Sequence, residues 1–164
     1  FRRSSYWSHF VDGIDGLDVR PARYAFRDEG GSETEFLAPH TAGRLRRNGP
    51  IGAAELEFLQ SVAQRNAKIT LPSPPTMHFW RGRDGVDRSA YPKEDEFFEE
   101  LAAIYRDEIA DLAARGAVYL QLDEVPLAML CDPQVQQRLE ADGESAQCLI
   151  DRYLSLIRKS LPSE

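Results

Sequence analysis

The chain has 164 residues, with 20 Lys+Arg against 27 Asp+Glu, a formal charge of −7 with its three histidines neutral. A 42% hydrophobic content, with 10% of all residues aromatic, is enough to bury a core and excludes a disordered acidic tail. The net negative charge and a pI near 5.1 argue against a nucleic-acid binder, and no apolar run is long enough for a membrane span. The start, FRRSSYWSHF, lacks the apolar core of a secretory signal. Two cysteines far apart, Cys131 and Cys148, make no disulfide framework, so a reducing, cytoplasmic setting is expected. The first residue is Phe1, and a pattern begins at once, so a fragment of a larger protein is expected.

Residues 1–50 are rich in arginine and in the turn signals DG, GG and NG, which predict strands and loops. Over 52–67 the spacing of Leu56, Leu59, Val62 and Ala63 predicts an amphipathic helix. Lys68 to Leu71 reads as a short buried strand ended by Pro72, Pro74 and Pro75, since proline cannot donate to a sheet ladder. The stretch from there to about Ser89 reads as a long loop of the kind that borders an active site. Over 92–115, Phe97, Phe98, Leu101, Ile104, Tyr105, Ile109 and Leu112 recur at helical steps. Glu94, Asp95 and Glu96 suit the positive end of that helix, and Gly116 stops it. The run 117–122 reads as a strand covered on both faces, and helices are predicted over 133–141 and 144–161. Helix, strand, helix, strand, helix is the alternation of an α/β fold with parallel strands. About four strands are counted, whereas a closed eight-fold barrel takes about 250 residues, so the chain is part of such a barrel or a smaller open sheet.

In a parallel sheet the ligand site lies at the carboxyl ends of the strands, where Gln121, Asp123 and Glu124 fall. Alternation sends Gln121 and Asp123 to one face and Glu124 to the other; the same positions also suit carboxylates that cap the next loop. His78 and Trp80, with Arg81 and Arg83, have the chemistry to stack on a flat heterocycle and pair with an anionic tail, or to pack as loop aromatics on a rim. Arg44, Arg46 and Arg47 read as a solvated face without a role. No HExxH, CxxC or close His/Cys pair is present, so no metal ligand is assigned, and neither a phosphate loop nor a GxSxG elbow is found.

Three stretches, FRRSSYW at 1–7, KITLPSPPTMHFWRGR at 68–83 and VYLQLDEVPLA at 118–128, taken together resemble the catalytic barrel of cobalamin-independent methionine synthases, and more closely their single-domain, methionine synthase II-like relatives. The resemblance implies a TIM-type (β/α)8 barrel that transfers a methyl group from a methylated folate to the thiol of homocysteine, with zinc binding that thiol. It implies that Asp123, in the QxDE strand end, holds the substrate amino group, with Glu124 and Gln121 beside it. Trp80 is the nearest match to a tryptophan of the folate site, with His78 near it. The family's zinc ligands, a His-x-Cys pair, a glutamate and a second cysteine, follow the QxDE strand, and no histidine follows Glu124 here. The glutamate of the family's GEFxR strand end would precede Phe1. On this reading residues 1–164 are one incomplete barrel domain, without catalytic residues of its own. QLDEVP in place of QIDEP, and LPSPP in place of TGP, favour the single-domain relatives. The expected partners are small molecules, a homocysteine-like thiol and a folate, with no nucleic acid or membrane and with homo-oligomer formation open. Two alternatives remain: a non-catalytic ligand-binding or dimerising domain, and a related barrel acting on another thiol or decarboxylating a ligand.

Overall fold

In a computed structural model, residues 5–24, 26–27 and 33–162 are described; residues 1–4 of the FRRSSYW stretch, and the GG turn signal, lie outside them. A short helix, α1 (Ser8–Gly13), leads into strand β1 (Ile14–Pro21), which pairs antiparallel with β4 (Leu37–Arg47). Two two-residue strands, β2 (Phe26–Arg27) and β3 (Glu33–Thr34), form an antiparallel pair between them. The ladder jumps from Asp15 opposite Arg46 to Leu17 opposite Thr41, so residues 42–45 bulge out of it. Gly16 makes the bulge possible. Its φ is +88°, and a Cβ there would lie 2.3 Å from the Arg44 carbonyl oxygen. The Leu45 N–H displaced by the bulge donates instead to the Tyr91 hydroxyl (2.7 Å) and to Glu100 (3.1 Å).

The second half alternates helix and strand. Helix α2 (Ala53–Val62) is followed by β5 (Ile69–Pro72), a buried turn of helix α3 (Thr76–Phe79), a 3-10 turn (Gly82–Gly85) and the long α4 (Glu94–Ala114). Strand β6 (Leu120–Asp123), a short α5 (Pro126–Met129), α6 (Pro133–Ala141) and α7 (Ala146–Ser160) complete the chain. Strands β5 and β6 are parallel, in register from Ile69 opposite Leu120 to Pro72 opposite Asp123. The fold is therefore α/β, but the only parallel strand pair among the described residues is β5 with β6, besides an isolated parallel bridge between Thr41 and Val86. The N-terminal strands are antiparallel because β1 returns through a ribbon rather than a helical crossover, and the described strands form three short sheets instead of a closed barrel.

Helix α4 buries Phe97, Phe98, Leu101, Ala102, Ile104, Tyr105, Ile109 and Leu112, the stripe its spacing predicts. Gly116, at φ +88°, turns the chain after it, and the Ala117 N–H reaches back to the Leu112 carbonyl. Three expectations are corrected. Helix α2 ends at Val62, which is 60% exposed, because only Ala53 and Leu56 of its residues are buried. The stretch 117–122 is no doubly covered strand: Val118 and Tyr119 are exposed, β6 begins at Leu120, and its residues are half-buried. The proline-rich stretch is core rather than surface loop, with Thr76, Met77, His78, Phe79 and Trp80 all buried.

Arg47 is also no solvated side chain. Its guanidinium meets the fully buried Glu108 at 2.6 Å and Asp111 at 2.7 Å, and the Glu108 carboxylate accepts the Ile51 and Gly52 N–H groups at 3.0 and 2.7 Å. One carboxylate on α4 thus joins β4 to the start of α2, where the helix has no side-chain cap of its own. Arg46 does lie in solvent, paired with Asp15, and Arg44 lies over the Tyr91 ring.

Candidate functional site

The parallel pairing of β5 and β6 brings two loops to one place. Pro72, opposite Asp123, cannot donate, and the next residue takes over: the Ser73 N–H donates to the Asp123 carbonyl at 3.0 Å. Ser73 then turns into α3, where its hydroxyl lies 3.2 Å from that of Thr76, both groups buried. The strand ends are thereby fixed side by side, each followed by a short helix.

Gln121 and Asp123, two residues apart in β6, share a face as alternation requires, and the Gln121 amide donates to Asp123 Oδ1 at 2.5 Å. Lys68 donates to the Gln121 carbonyl oxygen at 2.8 Å, which fixes the amide with its N–H toward Asp123. The half-buried Asp123 carboxylate is thus aimed by a neutral donor, with no cation against it among the described contacts. A charged acceptor held this way suits a ligand ammonium.

Glu124 turns elsewhere. Its Oε1 accepts the Leu127 N–H at 2.8 Å and caps α5, while its buried Oε2 has no hydrogen-bond partner among the described residues. Tyr6, from the turn before α1, lies near Thr76 and Trp80, and its phenol senses the charges of Glu124 and Asp123. Burial raises its phenol, the contacts with Thr76 and Trp80 oppose that, and the charges of Glu124 and Asp123 add to it. Tyr105 of α4 is fully buried, and its phenol is pushed far up by burial first, then by Tyr6 and Glu124. Tyr6, Lys68 and Thr76 lie in the stretches that carry the family resemblance but were given no role of their own. Tyr105 was not expected here, and its one signal was a polar-tipped ring in the core stripe of α4.

Trp80 is fully buried. Phe36 meets its ring edge-on at 5.0 Å and Phe79 at 5.1 Å, and Tyr6 joins it to the strand ends. His78 faces the other way. Its Nδ1 is 2.7 Å from the Tyr153 hydroxyl on α7, and its Nε2 is 3.3 Å from Glu94 of α4, which also pairs with Arg152. Burial works to raise the Glu94 carboxyl, but the His78 hydrogen bond and the charges of His78, Arg152 and Arg83 hold it down at about 2. The structure therefore brings Gln121, Asp123, Glu124 and Trp80 around one corner, and gives His78 to the packing of α3 on α4 and α7.

Among the described residues no group of three or more His, Cys, Asp and Glu could hold a metal ion. Cys131 and Cys148 are both exposed and free, and both nitrogens of His78 are engaged within the protein. These residues do not fit a zinc. No helix among the described residues is long and apolar enough to cross a membrane.

No protein-family model matches the chain. Among curated proteins, YxjH of Bacillus subtilis is 24% identical over 152 residues, covering 91% of the chain and 39% of that protein. The 5-methyltetrahydropteroyltriglutamate–homocysteine methyltransferase of Thermosynechococcus vestitus is 33% identical over 131 residues, 77% of the chain and 16% of that enzyme. The chain is a relative of the cobalamin-independent methionine synthases. A B12-independent methionine synthase from Shewanella sp. W3-18-1, solved in complex with selenomethionine, has the same fold over 93% of the chain and 40% of its own, with a TM-score of 0.58 and 21% identity. The chain spans about two-fifths of that methionine synthase and of YxjH.

Proposed function

We propose that the chain forms the amino-acid-binding corner of a thiol methyltransferase, one that moves a methyl group from a methylated folate to the thiol of homocysteine and so yields methionine. The observation that carries the reading is the Asp123 carboxylate, aimed by Gln121 at the carboxyl end of a parallel strand pair in a relative of methionine synthases. On this reading the chain is part of one larger barrel domain, consistent with its covering about two-fifths of YxjH and of the Shewanella methionine synthase.

The residues' work is binding and orientation. Asp123 takes the substrate ammonium, with Gln121 and Lys68 holding the carboxylate in place. Glu124 fixes α5 beneath the site through its Oε1. Trp80 belongs to the methyl-donor side; since Phe36 covers its ring edge-on, a flat donor stacks there only after Phe36 swings away. In the reaction the sulfur of the thiol attacks the methyl carbon, the bond from methyl to the folate nitrogen breaks, and that nitrogen takes up a proton. Activation of the thiol is not assigned to the described residues, which do not fit the family's zinc.

Calorimetric titration of the natural-length protein with L-methionine and L-homocysteine tests this. Asp123→Asn replaces a charged acceptor by an amide with a donor on one side; a hydrogen bond to a charged group is worth about 1.5–3 kcal/mol, so affinity should fall about 10- to 150-fold with the fold intact. Unchanged affinity in a folded variant removes Asp123 from the site. Failure of the natural protein to bind either amino acid removes the reading.

A further inference from the structure

His78 stands two residues from Trp80, yet its side chain is spent on helices remote from that ring. Successive residues on a helical turn are about 100° apart, so positions 78 and 80 point to nearly opposite sides. On its side His78 is 2% exposed, with Tyr153 at 2.7 Å and Glu94 at 3.3 Å, and its ring lies among Phe97, Phe98 and Tyr153 with centroids 5.0–6.0 Å away. Glu94 in turn is held by Arg152, so α7 grips the histidine both directly and through α4. On the other side α3 presents Thr76 and Trp80, the two groups beside Tyr6 and the strand ends. Helix α3 is four residues long with no side-chain cap at its start; Ser73 holds it through Thr76, Phe79 stacks on Tyr24 at 5.1 Å, and the His78 hydrogen bonds are what ties it to α4 and α7.

We propose that His78 is a positioning residue: through Tyr153 and Glu94 it clamps α3 against α4 and α7, and so sets where Thr76 and Trp80 stand at the substrate corner. It touches no ligand itself. The clamp makes α7, at the far end of the chain, part of what shapes that corner. The substrate corner is the one of the preceding reading, and the proposal rests on that reading only where ligand affinity is measured.

The test compares three variants of the natural-length protein. His78→Phe keeps a ring in the aromatic nest but removes both hydrogen bonds, Tyr153→Phe removes one from the other side, and Leu156→Ala loosens the core face of α7 one turn on from Tyr153 while leaving both hydrogen bonds of the clamp in place. Amide hydrogen exchange over residues 76–80 is the primary readout and needs no ligand. His78→Phe and Tyr153→Phe should each speed exchange there about ten-fold, and the double variant should add little to either. Leu156→Ala should lower Tm yet leave that segment within about two-fold of the natural protein. Methionine affinity should follow the same order. If Leu156→Ala speeds exchange over 76–80 as much as His78→Phe does at equal loss of Tm, the histidine is ordinary packing and the proposal falls. If His78→Phe abolishes methionine binding while Tyr153→Phe changes neither exchange nor affinity, the histidine is a ligand contact and the proposal falls as well. Absence of methionine binding in the natural protein defeats the functional reading alone, since the exchange comparison still decides the clamp.

Discussion

Replacing Glu108 by alanine strikes the polar junction on which the two halves of the chain depend. The carboxylate is fully buried and accepts four N–H groups: two from Arg47, at 2.6 and 2.9 Å, and the backbone donors of Ile51 and Gly52, at 3.0 and 2.7 Å. Its loss leaves Arg47, itself largely buried, with Asp111 alone, and leaves two donors at the start of α2 without an acceptor. Breaking a buried ion pair from one side costs about 3–5 kcal/mol, and each buried donor left unpaired costs about 1–3 kcal/mol. These costs overlap where water enters, so about 4–6 kcal/mol is expected, against a total stability of about 5–15 kcal/mol for a domain. At about 2–4 °C per kcal/mol for a chain of this size, Tm should fall by about 8–24 °C. Urea unfolding followed by circular dichroism gives the free energy, and a cycle with Arg47→Ala gives the coupling. Because both single variants disrupt one network, the double variant should cost much less than their sum. A Glu108→Ala protein within about 1.5 kcal/mol of the natural one, or additive effects in the cycle, would refute the role assigned to this carboxylate.

Two further expectations follow from single groups. Glu94 has a carboxyl held at about 2 in the folded protein against an ordinary 4.5, so the unfolded chain binds a proton first as acid is added. Its contribution is therefore fully present above about pH 4.5 and is lost as pH falls toward 2, an effect of about 3 kcal/mol. Urea unfolding at steps from pH 6 to pH 2 should show a steeper decline for the natural protein than for Glu94→Gln, and parallel curves would contradict the ion pairing. Gly16→Ala forces a left-handed φ on alanine and drives its Cβ against the Arg44 carbonyl, which should cost about 3 kcal/mol in thermal unfolding. A stability change below about 1 kcal/mol would mean that the bulge relaxes without it.

The elements legible in the sequence are those whose burial repeats at one period. The stripe of α4 and the order of β5, α4, β6, α6 and α7 follow from apolar spacing, and Gly116 marks the end of α4 as expected. The β1–β4 ribbon carries no such mark. Along β4 buried and exposed residues do not alternate cleanly, because the bulge at residues 42–45 shifts the face of every residue beyond it. Helix α3 was hidden by its prolines, which read as breakers; yet at the head of a helix proline forfeits no hydrogen bond, and Pro75 is the residue from which α3 starts. Arg47 looked idle because its partner lies 61 residues on and is itself an unremarkable glutamate in a helix.

The candidate site divides along the same line. Gln121, Asp123 and Glu124 could be found because a parallel strand delivers its carboxyl end to one place, and a polar run at that end is a local pattern. Tyr6, Thr76 and Tyr105 come to that corner from three separate elements, which no spacing records. His78 and Trp80 show the limit most directly. Two residues apart in a predicted loop, they read as one aromatic group with one use. A single helical turn sets them back to back, so that one joins the strand ends and the other the seam between α4 and α7. The turn is fixed by what each side chain buries, and the division of labour between the two follows from that packing.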